Sequence, residues 1–135
     1  MIHLLDTNAF ADLMREHPRM IAHLTNLAPG DQVVICSIVR GEILYGIDRL
    51  PQGKRQQDLR SKADRLFATI SCESIPEAAG DYYASVKIQR AQKGLAMDEN
   101  DLWIAATALQ LGAILVSRDR DVLHVDGLTV IDWTL

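Results

Sequence analysis

Apolar residues follow two rhythms along the chain. Five short runs, IHLL (2–5), VVIC (33–36), TISC (69–72), AILVS (113–117) and LTVI (128–131), have the length and density of buried strands. Between them, segments 9–27, 38–48, 53–68, 77–93 and 99–111 carry apolar residues at three- and four-residue spacing, the pattern of helices with one buried face. Pro18, Pro29-Gly30, the stretch Leu50-Pro51-Gln52-Gly53 and Gly94 punctuate these segments. Strands alternating with helices predict an α/β fold, in which right-handed crossovers build a central, mostly parallel five-stranded sheet covered by helices on both faces.

Length and composition narrow the class. A chain of 135 residues fits one domain, residues 1–135, with a core large enough to need neither disulfide nor structural metal. Hydrophobic residues make up 48% and charged residues 24%, which excludes a disordered chain. No apolar run has the length of a membrane span, and the start MIHLLDTN lacks a basic region followed by a long apolar stretch, so a cytoplasmic protein without a membrane partner is expected. Cys36 and Cys72 end apolar runs and read as small buried hydrophobes. Without a CxxC pair, and with His3, His17, His23 and His124 scattered, a zinc site is not expected.

The net charge of −4 runs against a polyanionic partner until its distribution is considered. No acid falls between Asp81 and Asp98, where Lys87, Arg90 and Lys93 lie, and a second basic group comprises Lys54, Arg55, Arg60, Lys62 and Arg65. Such runs are ordinarily solvated helix faces, yet they permit a polyanion, for which Lys87, Arg90 and Lys93 are the expected contacts.

The acids carry the sharper signal. The stretch DENDLWIAA, Asp98 to Ala106, crowds three carboxylates into four residues at the start of a helix. Within it, Asp101 shares a stripe with Ala105 and Ala108, continuing to Gly112, so it is expected at the edge of a buried seam. Asp6 follows the first strand in LLDTN, and Asp119 follows the fourth in LVSRD. Glu42 projects from the first turns of the helix after the second strand. Taken singly, each has a structural explanation: Asp6 as a helix cap, Glu42 as a solvated helix acid, Asp119 as a turn residue, Asp101 as a first-turn acid favoured by the helix dipole. Independent capping, however, does not direct four acids from four segments to one end of the sheet, and that end is where ligands gather in such folds.

The pattern resembles the PIN-domain nucleases, most closely the VapC-type toxins of bacterial toxin–antitoxin modules. LLDTNAF is similar to the family's opening strand and first acid, SIVRGEILYGI to its E-x-x-x-G helix, and NDLWIAATALQLGAILVSRDRDV to the segment with the third and fourth acids, with GLTVIDW closing. The resemblance covers nearly the whole chain and implies a three-layer α/β/α PIN-like fold. It implies Asp6, Glu42, Asp101 and Asp119 as catalytic acids and metal ligands, with Asn8, Ser117 and Asp98 as accessory positions. Asp98 departs from the more usual neutral residue there and reads as a first-turn helix acid. Ser117 stands where the family often has Thr, and Val122 where an aromatic is common. Further implied are cleavage of a structured RNA such as a tRNA, a homodimer, and a cognate antitoxin in a hetero-oligomer.

Carboxylate oxygens without His or Cys suit Mg²⁺ or Mn²⁺. Three alternatives stand beside an endoribonuclease. A phosphorelay receiver has a comparable acidic pocket but needs a Lys after its last strand, where this chain reads LTVIDWTL; a dehalogenase-like phosphatase needs a second Asp where Asn8 stands; a catalytically inactive PIN-like binding module would keep the fold alone.

Overall fold

The computed structural model describes all 135 residues. The elements in chain order are β1 (Ile2–Leu5), α1 (Thr7–Met14), α2 (Pro18–Thr25), β2 (Gln32–Cys36), α3 (Ser37–Asp48), α4 (Lys54–Thr69), β3 (Ser71–Glu73), α5 (Ala79–Gln92), α6 (Glu99–Leu111), β4 (Ile114–Val116), the short 3₁₀ helix η1 (Arg120–His124) and β5 (Val130–Ile131). All five strands are parallel, in the order β3-β2-β1-β4-β5. The sheet grows outward from β1 in one direction and then returns to grow in the other. Right-handed crossovers therefore place α1 to α4 on one face and α5 with α6 on the opposite face.

The expected 9–27 helix is two helices. Pro18 has no N–H to give a continuing helix, Glu16 takes a left-handed φ of 59°, and Pro18 opens α2 behind His17, whose ring accepts from the Arg19 N–H. The third strand is displaced from TISC to Ser71–Glu73, because Thr69 still belongs to α4 and its hydroxyl donates to the Leu66 carbonyl at 3.1 Å. This displacement corrects the expectation for Cys72. It sits on a short edge strand and is exposed, whereas Cys36, ending β2 inside the sheet, is buried.

One cluster of 22 buried residues joins helices from both layers to the sheet, with Leu4, Leu5, Ile35, Leu115 and Val116 at its centre. Each such side chain contributes roughly 1.5–3 kcal/mol by leaving water. Ala105, Ala106 and Ala108 of α6 are fully buried, and their small size lets that helix lie close to the strands. Gly112 does not extend the buried stripe. At φ 63° it ends α6 in the left-handed conformation that favours glycine.

Candidate active site

The C-terminal ends of β1 and β4 are neighbours at the point where the sheet reverses direction. Asp6 stands at that point. Its backbone N–H donates to the Val116 carbonyl at 3.1 Å, continuing the β1–β4 ladder, while its side chain caps α1 by accepting from the Ala9 N–H at 2.8 Å. The capping role and a place in the pocket therefore coexist in one residue. Burial pushes the Asp6 carboxyl above the usual carboxylate range, opposed by the Ser117 hydroxyl and the Ala9 N–H. Ser117 is itself buried, and its hydroxyl accepts from the Asp119 N–H at 3.0 Å. Asp119 in turn caps η1 by accepting from the Asp121 N–H at 2.9 Å. Val122, in η1, is buried in the main core cluster.

Glu42 and Asp101 arrive from the two helices that start at this same edge. Glu42, half-buried on α3, accepts from the Thr7 hydroxyl at 2.7 Å, which ties α3 to the first turn of α1. Asp101, half-buried near the start of α6, has its pKa raised to about 6. Partial burial is the larger cause; the charges of Asp98, Asp119, Glu42 and Asp6 follow in that order. The four acids are thus brought into one electrostatic neighbourhood, on β1, α3, α6 and the loop after β4.

A further acid, Asp12, was not singled out by its spacing. It is buried on α1 and accepts from Arg118 Nε at 3.0 Å and from Arg15 at 3.1 Å. Arg118 lies between Ser117 and Asp119, so this pair fixes the loop that carries the fourth acid. A buried carboxylate within the apolar pattern of α1 was the one signal available for it.

The donor set fits a hard divalent cation: carboxylate and hydroxyl oxygens, with no thiolate or imidazole among the four acids and Ser117. No three His, Cys, Asp or Glu side chains stand together as a closed set of ligands. Asp6, Glu42 and Asp119 are instead held by their own protein donors. A hydrated divalent cation needs only one or two carboxylates directly, so an open arrangement of this kind does not exclude one.

The remaining expected positions divide. Asn8 is exposed in the first turn of α1. Asp98 occupies the N-cap position of α6 without a side-chain capping bond, and its charge is the leading one acting on Asp101. One member of the basic run is corrected. Arg90 is buried and donates to the carbonyls of Asp121 and Ala96, both at 2.9 Å, so it holds α5 against its neighbouring loops and is not a surface contact for RNA. Lys87 pairs with Glu99 at 2.6 Å and is pushed above the usual lysine range by that contact and by Tyr83; Lys93 pairs with Asp126 at 3.1 Å. A cavity of about 590 Å³ between α2 and the C-terminal segment, lined by His23, Leu27 and Trp133 among others, contains none of the four acids.

Comparison with known proteins agrees with this fold. Residues 3–128 match the PIN domain. The chain is 31% identical to ribonuclease VapC1 of Haemophilus influenzae over 99% of both chains, and 29% identical to ribonuclease VapC2 of Rickettsia felis over 98% of both. Among solved structures it is similar to VapBC2 from Rickettsia felis bound to a promoter DNA fragment, with a TM-score of 0.90, 28% identity and coverage of 98% and 99% of the two chains. A member of the VapBC family of toxin–antitoxin systems from Mycobacterium tuberculosis, at 22% identity and a TM-score of 0.76 over 97% and 98% of the two chains, shares the fold. The strand order β3-β2-β1-β4-β5 also differs from the receiver order 2-1-3-4-5. The chain belongs to the PIN-domain family, as a VapC-type member.

Proposed function

We propose that this protein is a metal-dependent endoribonuclease and the toxin of a toxin–antitoxin pair. The observation that carries the reading is the convergence of Asp6, Glu42, Asp101 and Asp119 on the reversal point of the sheet, with Asp101 half-buried among the other carboxylates. Its likeness to the VapC ribonucleases supports the substrate class, and a structured RNA such as a tRNA is the proposed target.

Asp6 and Asp101 would be the principal ligands of Mg²⁺ or Mn²⁺, with Glu42 as ligand or water-positioner and Asp119 as outer ligand. When bound, such an ion supplies positive charge to the phosphoryl oxygen and makes a water acidic enough to attack. Asp6 is fixed before substrate arrives by its cap on α1 and by its ladder bond. Glu42, with one oxygen engaged by Thr7, keeps the other for orienting the attacking water. Ser117 holds the Asp119 backbone, and so keeps the fourth acid where its charge acts on Asp6.

The proposed partners are the RNA, a second copy of the chain, and an antitoxin that covers the pocket. A cluster of carboxylates accepts a guanidinium in place of a metal through strong charge-assisted bonds, which gives an antitoxin a direct means of inhibition. No helix is long and apolar enough to cross a membrane, and a cytoplasmic site of action is proposed. The test is cleavage of total bacterial RNA with 5′-end mapping. Discrete cuts are expected with Mg²⁺ or Mn²⁺, none with EDTA or Zn²⁺ alone, and none with Asp101→Asn. Equal cutting in excess chelator, or by Asp101→Asn, would overturn the reading.

A further inference from the structure

Beside the four acids runs a groove of about 440 Å³, lined by Ser37, Ile38, Gly41, Glu42, Tyr45 and Asn100. It lies between the start of α3 and the start of α6. Glu42 therefore faces both the acidic pocket and this groove, and Asn100 is the neighbour of Asp101. Tyr45 stands one helical turn beyond Glu42, where residues three apart share a face. It is 71% exposed, although Ile43 and Ile47 of the same helix reach the core. Its exposure is thus a property of the α3 face it occupies. Gly41 lines it too, and a Cβ built there meets nothing within 4 Å, so a longer side chain at that position would extend into open space.

We infer that this groove seats the base of a nucleotide flanking the cleaved phosphate, with the Tyr45 ring as stacking platform and Asn100 and Ser37 as hydrogen-bonding groups for its edge. The inference rests on the ribonuclease reading and extends it to substrate positioning. A strand whose phosphate lies at Glu42 continues to one side of the pocket, and the exposed Tyr45 ring one helical turn from Glu42 offers what an unstacked base takes up. Stacking a base on an aromatic ring is worth roughly 5- to 150-fold in affinity. The Asn100 amide presents both donor and acceptor, the requirement for reading a single-stranded base by its edge.

The experiment uses Asp101→Asn protein, which separates binding from cleavage, with a short single-stranded RNA carrying 2-aminopurine as probe. Fluorescence of the probe reports stacking, and anisotropy reports affinity. Tyr45→Ala is expected to lose the stacking quench and bind roughly tenfold more weakly, Tyr45→Phe to keep both, and Gly41→Leu, which fills the groove at a helical position where leucine is favoured, to behave like Tyr45→Ala while remaining as stable as its parent. Tyr82→Ala, at an exposed aromatic on α5 outside the groove, is expected to change nothing. In the otherwise native sequence, Tyr45→Ala should raise KM more than it lowers kcat. Unchanged quench and affinity in Tyr45→Ala would overturn the inference, as would a loss of binding that accompanies loss of a dimer in sedimentation. Failure of the native protein to cut RNA would instead count against the ribonuclease reading, since the binding measurement does not depend on cleavage.

Discussion

Arg118 donates from Nε to the buried carboxylate of Asp12 at 3.0 Å, joining α1 to the loop after β4 across 106 residues of sequence. Between Ser117 and Asp119, this pair anchors the loop that presents the fourth acid. Truncation to Asp12→Ala removes the acceptor that Arg118 and Arg15 share, and because both arginine side chains are solvent-exposed it is expected to cost about 1 kcal/mol of stability. RNA cleavage should fall more than stability alone explains, with Asp12→Asn intermediate because it keeps an acceptor oxygen. Urea unfolding beside cleavage rates of the folded variants checks this. Cleavage equal to the native rate in folded Asp12→Ala would remove the pair from site positioning.

Thr7 holds Glu42 at 2.7 Å, and Thr7→Val removes that donor without changing side-chain shape. Thr7→Val is expected to lower kcat with little change in KM, and Thr7→Ser to restore it. A hydroxyl that only stabilised α1 would give the same loss of stability, about 1 kcal/mol, with no selective fall in kcat.

The Asp101 pKa of about 6 has a consequence for stability, because the usual value is 3.8. Between these values the folded protein keeps a proton that the unfolded chain has released, so in chelator stability should fall as pH rises from about 4 to about 6 and return on acidification. The contribution is on the order of 1 kcal/mol, since the carboxyl is still partly solvated. Asp98 supplies the leading charge, so Asp98→Asn should lower the Asp101 pKa further than Asp119→Asn does. Carboxyl NMR titration of the metal-free variants measures both. An equal effect of the two substitutions would contradict the assignment.

The fold was legible because buried parallel strands are continuous apolar runs, and IHLL, VVIC and AILVS stand out as such. TISC slipped because Thr69 and Ile70 are apolar enough for a strand yet close α4 and its cap. The acids were legible by their place after strand ends and helix starts, which fixes the edge of the sheet they occupy. What sequence spacing could not supply was long-range pairing. Asp12 and Arg118 meet only once β1 and β4 are neighbours, and Arg90 reaches the Asp121 carbonyl only because α5 and η1 come together in the fold. Lys87 looked free because its partner Glu99 lies twelve residues on, across the turn between α5 and α6.

The central claim is that Asp6, Glu42, Asp101 and Asp119 form one metal-binding pocket, and thermal melts of Asp101→Asn at neutral pH with and without Mg²⁺ test it most directly. In EDTA the substitution removes a half-buried charge that its neighbours repel, so the variant should melt above the native protein, by roughly 3 °C for each kcal/mol relieved. Saturating Mg²⁺ should reverse the order, because a ligand present at 100 times its Kd stabilises the folded state by about 2.7 kcal/mol and the variant binds it poorly. Asp6→Asn should show the same crossover, and Glu99→Gln none. If Asp101→Asn melts below the native protein in EDTA, and Mg²⁺ raises both melting temperatures equally, Asp101 serves only the start of α6 and the pocket is not a metal site.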